Sequence, residues 1–159
     1  MIYLVWKLVH VASVVVFLGN ITTGMFWAAH ANRSGDFKQI AATFDGIIRS
    51  DRWFTMPGVI GILASGVGAA MAASLPLLGT GWILWPVILF SISGIVFGLF
   101  VAPLQRRIVA LTQSTNKSHE SWHDYRELYV RWELWGLLAI LTPIAAMIVM
   151  VLKPALPAF

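Results

Sequence analysis

The chain has 159 residues, of which 58% are hydrophobic and only 11% are charged. A soluble domain carries about 25% charged residues, so this composition excludes an ordinary soluble protein and indicates an integral membrane protein. The absence of cysteine excludes disulfides and thiolate metal sites. The net charge of +4 resides in short segments between apolar runs, which is a membrane pattern and not that of a nucleic-acid-binding surface.

Four apolar stretches are long enough to cross a bilayer as helices, which takes about 20 residues each. Most of the tryptophans fall near the ends of these stretches, as expected for an aromatic belt at the membrane interface. We therefore predict an all-α fold, in which residues 1–159 form a single membrane domain built as a four-transmembrane-helix bundle. The predicted spans are 2–29, 53–74, 82–104 and 132–152.

Basic residues are distributed unevenly between the two sides of this bundle. Nine lie either between spans one and two or between spans three and four. Only Lys7 and Lys153 lie towards the other side. The positive-inside rule therefore predicts that both long loops are cytoplasmic. Both termini should then lie on the periplasmic side of a bacterial inner membrane.

The first of these loops contains an amphipathic pattern. Phe37, Ile40, Phe44 and Ile47 recur at helical spacing with charged residues between them. This predicts a short amphipathic interfacial helix that lies on the inner membrane surface. The alternative is that the same helix caps the bundle.

Small residues recur every four positions in two of the spans, which lets helix backbones approach closely. They predict either tight packing inside the bundle, which we favour, or a homodimer face. They are Gly61, Ser65, Ala69 and Ala73 in span two, and Gly94, Gly98 and Ala102 in span three.

Pro143 lies in the middle of span four, where it cannot donate a helical hydrogen bond. It should kink the helix and free a backbone carbonyl near Ala139. A kink of this kind either serves the architecture alone or opens a pocket.

The sequence HESWH at 119–123 fits the H-E-x-x-H pattern of zinc metalloproteases. A third ligand is missing, since Glu127 is eight residues from His119, or about 12 Å along a helix. The loop is also too short to build a substrate cleft. We expect a solvated polar helix end here, and a regulatory or adventitious metal at His119 and His123 as the alternative.

The ionisable residues within span one are more informative. His10 lies a little over two turns into the membrane, where such groups mark functional sites by default, whereas Lys7 can extend to the interface. A histidine inside a bundle is a haem ligand, a transition-metal ligand, a proton carrier or a satisfied core residue. The residues alone leave these alternatives open.

A haem at His10 would need further partners from other helices. Met71 in span two and Met147 in span four are predicted at similar depth, and methionine can complete haem ligation with histidine. Arg131 and Glu133 at the start of span four are either an interfacial anchor or a site for a haem propionate.

Several segments carry a resemblance to known proteins. The segments YLVWKLVH, DRWFTMPGVIGILASG, VAPLQRR, YRELYVRWELWG and MVLKP occur in this order. Together they resemble a family of predicted bacterial integral membrane proteins of unknown function, over nearly the whole chain. The resemblance implies a membrane fold and location, but no activity.

Two further resemblances are more distant. Lys7, His10 and the closing Lys153-Pro154 are similar to features of the bacterial membrane protoporphyrinogen oxidases, which are four-helix haem-binding proteins. The Asn-Glu-x-Pro stretch of that family is absent here, and span three lacks its lysine. The chain also resembles copper-resistance membrane domains, which are helical bundles with a histidine near the outer side, as His10 is here.

These observations lead us to expect an inner-membrane protein that binds b-type haem through His10 and serves electron transfer or porphyrin-related redox chemistry. Copper handling or an accessory role in transport is the first alternative, and a cofactor-free structural subunit or assembly factor is the second. The expected partners are the lipid bilayer, a redox partner or quinone, and a second copy of the chain.

Overall fold

The computed structural model describes residues 1–114 and 119–158, apart from the side chains of residues 119 and 120. Within these ranges the chain is helical without strands, and four helical segments are long and apolar enough to cross a membrane. The predicted all-α four-helix architecture is confirmed. The helices are α1 (Ile2–Ser34), α2 (Phe37–Ser50), α3 (Met56–Ala72), α4 (Gly81–Val96), α5 (Ala102–Gln113) and α6 (His119–Leu152), with π-helical turns at Asp51–Thr55 and Phe97–Val101.

The helical segments extend beyond the predicted spans at the end of the bundle where the basic residues gather, which we call the basic end. α1 continues to Ser34 and ends at Gly35, whose left-handed backbone (φ 66°) favours glycine. α2 runs through its π turn into α3, and α4 runs in the same way into α5. Hydropathy detects only the apolar part of each helix, which is why the sequence predicts shorter spans. We call the opposite end, which holds both termini, the terminal end.

α2 is the predicted amphipathic helix, and its apolar face contacts protein. The Asp36 side chain caps its first turn by accepting a 2.9 Å hydrogen bond from the backbone N–H of Lys38. Phe37, Ile40 and Phe44 are at most 3% exposed, because they pack in one apolar cluster with residues of α5 and α6. α2 therefore caps the bundle at the basic end, which was the alternative to lying on the lipid surface.

The four long helices associate as two pairs. α1 packs along α3, and α4 packs along α6. The pairs are joined mainly at the basic end, where α2 contacts α5 and α1 contacts α6. In the described part of the chain no Cα atom of α3 lies within 8 Å of one in α4. A gap therefore separates the two pairs along this side.

Glycines on α3 allow α1 to approach closely. A Cβ atom at Gly58 would lie 3.1 Å from the Cβ of Phe17, which is tighter than ordinary van der Waals contact. The small residues of span two thus serve packing inside the bundle. From the terminal end to the basic end, Trp6 faces Gly68, His10 faces Gly66, Ser13 faces Gly61 and Phe17 faces Gly58.

Pro143 is accommodated inside α6 without ending the helix. The carbonyl oxygen of Ala139, which would bond the N–H of residue 143 in a regular helix, accepts a 2.6 Å hydrogen bond from the Ser93 hydroxyl of α4. Both Ser93 and Ala139 are buried. The freed carbonyl expected from the sequence is therefore satisfied by a neighbouring helix, as the bilayer requires.

We expect Gly58→Ala to lower the free energy of unfolding by about 1–3 kcal/mol, because the added methyl group overpacks the contact with Phe17. Gly46→Ala is the matched control, since a Cβ at Gly46 on α2 meets nothing within 4 Å. The free energy of unfolding of that control should be unchanged or higher by up to about 1 kcal/mol, because alanine has the higher helix propensity. Thermal unfolding in detergent measures both, and equal effects would contradict the close α1–α3 contact.

We expect Ser93→Ala to lower the free energy of unfolding by about 1–3 kcal/mol, because it leaves the buried carbonyl of Ala139 without a hydrogen-bond donor. Pro143→Ala supplies the missing helical N–H, so the double variant should lose less than Ser93→Ala alone. Unfolding of the four members of this cycle measures the coupling. Strictly additive effects would show that the Ser93 hydroxyl does not compensate for Pro143.

Candidate functional site

His10 is half-buried between α1 and α3, in a fixed orientation. Its Nδ1 atom lies 3.0 Å from the carbonyl oxygen of Ile62 and 3.3 Å from the Ser65 hydroxyl oxygen. A carbonyl can only accept, so Nδ1 carries the proton in this hydrogen bond. The Ser65 hydroxyl in turn donates to the carbonyl of Gly61. In the neutral form of the ring, Nε2 therefore keeps its lone pair.

The other residues expected around a haem are more exposed than His10. Met71 is 73% exposed and Met147 is 40% exposed, so both present much of their surface to the surroundings of the bundle. Lys7 is also exposed, one turn before His10. These three side chains are therefore exposed on the bundle surface, whereas the His10 ring is hydrogen-bonded to α3.

Arg131 and Glu133 lie at the basic end, far from His10. Arg131 forms an exposed 2.7 Å ion pair with Glu127. Gly136, which follows Glu133 by three residues on α6, lies beside Met25 of α1. Met25 comes 15 residues after His10, or about 22 Å along the helix. A haem at His10 therefore cannot place its propionates on Arg131 or Glu133.

The HESWH segment provides no metal centre in the part that the structure describes. α6 begins at His119, whose side chain lies outside the described residues together with that of Glu120. His123 is exposed and lies 3.9 Å from Asp124. Among the described residues no three histidine or acidic side chains gather closely enough to hold a metal ion.

A cavity of about 280 Å³ lies between the two helix pairs, lined by residues of α1, α3, α4 and α6. The rings of Phe17 and Phe90, whose centroids are 5.4 Å apart, bound it towards the terminal end. The gap between α3 and α4 lies along one side, where Gly94 and Gly98 line the cavity and are themselves exposed. The cavity is thus accessible from the lipid side of the bundle.

Four glycines create much of this volume. A Cβ atom at Gly94 or Gly98 would meet nothing within 4 Å, and the nearest atoms at Gly24 and Gly136 would be 3.7 and 3.9 Å away. These positions therefore do not require glycine for close helix contact, in contrast to Gly58 on α3. Their missing side chains leave space that a larger residue could fill.

A hydrogen-bonded polar cluster forms the basic-end floor of the cavity. Oδ1 of Asp51 accepts hydrogen bonds from the Thr55 hydroxyl at 2.8 Å and from the Asn20 amide at 3.2 Å. The amide nitrogen of Asn20 also donates to Thr55 Oγ1 at 2.9 Å. Oδ2 of Asp51 accepts a 3.2 Å hydrogen bond from the Gln105 amide. These bonds join α1, the first π turn and α5, and so connect the two helix pairs.

Trp132 also lines the cavity, and its indole N–H is unsatisfied. The side chain is 3% exposed, and its N–H finds no hydrogen-bond acceptor among the described residues. A buried donor without a partner costs about 1–3 kcal/mol, so such groups are rare in the absence of a ligand or water. The cavity therefore combines apolar walls, a buried carboxylate and a free donor.

The sequence patterns did not indicate Asp51 and Gln105 as site residues. Both lie just outside predicted spans, where polar residues are expected at an interface and attract no attention. A usable signal was that Thr55 follows Asp51 by four residues, which places both on one helix face.

Comparison with known families gives a match over nearly the whole chain. The family described as "Predicted integral membrane protein (DUF2269)" matches residues 4–154. No curated protein and no solved structure is similar enough to this chain to add to that assignment. This match confirms the resemblance to a family of predicted integral membrane proteins. The chain belongs to the DUF2269 family of predicted integral membrane proteins.

Proposed function

We propose that this protein binds a small lipid-soluble molecule in the cavity between its two helix pairs. The proposal includes a bacterial inner membrane, with the basic end in the cytoplasm and both termini in the periplasm. The positive-inside distribution of lysine and arginine supports this orientation.

The observation that supports binding is the combination of the cavity with its polar floor. Ligand sites are typically concave and mostly apolar, with a few convergent polar groups that orient the ligand. A cavity of about 150 Å³ already binds benzene, so about 280 Å³ accommodates a ring-sized group. The gap between α3 and α4 provides a route from the bilayer, so that an apolar tail can remain among the lipids.

Filling the cavity should remove the ligand. Gly136 is buried and lines the cavity, so Gly136→Leu places a side chain inside it. Gly19→Leu is the matched control, since Gly19 is exposed, faces nothing within 4 Å and lies outside the cavity. We expect organic extracts of purified protein to contain a roughly stoichiometric small molecule in wild type and in the control, and not in Gly136→Leu. Mass spectrometry provides the measurement.

Identical extracts from all three proteins would contradict the proposal. A wild-type dimer that Gly136→Leu alone converts to monomer, with no small molecule in any extract, would also contradict it. That second result would indicate that another copy of the chain occupies the space beside Gly94 and Gly98.

His10 supports a second candidate function, which is binding of b-type haem or of a metal such as copper. Histidines that bind metals commonly donate their other ring N–H to a carbonyl, as His10 does to Ile62. A haem held there would supply one-electron chemistry and exchange electrons with a redox partner or a quinone. These observations support only His10 as an axial ligand, because Met71 is 73% exposed and Met147 is 40% exposed.

An optical spectrum tests this second candidate. If His10 binds haem, protein purified from haem-replete cells shows a Soret band that dithionite shifts, and His10→Ala abolishes it. His30→Ala should retain the band, because His30 is exposed about 30 Å farther along α1. A colourless wild type would remove the haem hypothesis, and stoichiometric copper without a Soret band would favour metal handling.

A further inference from the structure

Asp51 is a buried acidic side chain without a cationic partner in the described structure. It is 8% exposed, and none of the ion pairs among the described residues includes it. Its sequence neighbour Arg52 is exposed. Burial of a carboxylate is unfavourable unless a cation or sufficient hydrogen bonds compensate its charge. The question is therefore what compensates Asp51.

The hydrogen bonds orient this carboxylate but do not neutralise it. Thr55, Asn20 and Gln105 are all uncharged donors. An ionised carboxylate has about four acceptor positions, so three donors leave room for one more. Because Oδ2 has the single donor Gln105, that oxygen is the open position. All three neighbours are placed to donate, which is the arrangement that the ionised form requires.

Four aromatic side chains form part of the cavity wall. Phe17 and Phe90 lie at one end, and Phe97 and Trp132 also line the walls. The face of an aromatic ring attracts organic cations, and the attraction increases when water is excluded. A single carboxylate beside several rings is thus complementary in charge and shape to a cation with an apolar body.

We propose that the ligand is a monovalent organic cation with an apolar body, and that its ammonium group pairs with Asp51 in the cavity. This inference rests on the proposed function, because it names the class of molecule that the same cavity binds. The ammonium group donates to Oδ2 of Asp51, and the apolar body contacts the rings and extends towards the gap between α3 and α4. A neutral ligand would leave the charge of Asp51 uncompensated.

Three probes with the same apolar body test the charge of the ligand. They are 3-phenylpropylammonium, 3-phenylpropanol and 3-phenylpropanoate, titrated into wild-type protein in phosphatidylcholine nanodiscs. Binding is measured by titration calorimetry, and the heats obtained with empty nanodiscs are subtracted to correct for partitioning of the probe into lipid. We expect saturable binding of the ammonium compound, about 10- to 100-fold tighter than that of the alcohol, because hydrogen bonds to charged groups contribute more than neutral ones. The carboxylate compound should not bind.

Variants locate the site. Asp51→Asn retains the shape of the side chain and removes its charge, so the ammonium probe should lose about 10- to 100-fold in affinity while the alcohol changes little. Gly136→Leu should abolish binding of both probes, and Gly19→Leu should bind as wild type. Thermal unfolding shows whether each variant is folded. The probe series on wild type decides the charge preference even if Asp51→Asn does not fold.

The outcomes separate this inference from the proposed function. Equal affinities for the ammonium compound and the alcohol, both lost in Gly136→Leu, would overturn the cation assignment and leave a neutral-ligand cavity, with Asp51 protonated. Ammonium binding that Gly136→Leu leaves unchanged would overturn the cavity as the binding site, and with it the proposed function.

Discussion

The close contact of α1 with α3 determines the arrangement of the other helices. Lipid provides no hydrophobic drive for helix association, so the contact depends on backbone approach, which Gly58 and Gly61 permit. The small residues of this contact belong to α3, and they face larger side chains of α1 such as Trp6 and Phe17. α4 is similarly paired with α6. Each pair uses its best contact face internally. The seam between the pairs is therefore left loosely packed, and the cavity lies in that seam.

The two π turns explain how one helix can serve two different neighbours. A π turn inserts an extra residue into the helix, which rotates the residues that follow relative to those before it. α2 thus presents Ile40 and Phe44 to α5 and α6, while α3 continues with its glycines towards α1. Asp51 is the first residue of the first π turn, and Gln105 lies just beyond the second. The hydrogen bond between these two residues connects the two helix pairs. Such turns frequently occur at functional sites, and residues of both turns line the cavity here.

The sequence predicts the four spans, the amphipathic helix and the carbonyl freed by Pro143, because each follows from local composition or periodicity. It does not reveal the surface that α2 contacts, since an apolar face fits lipid and protein equally well. The sequence also predicts a functional site at His10, because this residue is an isolated ionisable group in an apolar run. Asp51 and Gln105 become a site only through the fold, which brings together residues 54 positions apart.

Glycines in two different helices have opposite consequences in this bundle, and this contrast connects the fold to the proposed chemistry. Gly58 is needed for contact, whereas Gly94 and Gly98 leave space along the gap. The cavity extends from that gap to a charged floor at the basic end, where a buried charge is closer to the interface and less costly than at the bilayer centre. An amphiphilic cation from the adjoining leaflet could therefore reach Asp51 without carrying its charge across the hydrocarbon core. In the proposed orientation that leaflet is the cytoplasmic one, so the same arrangement selects both the charge of the ligand and the side from which it enters.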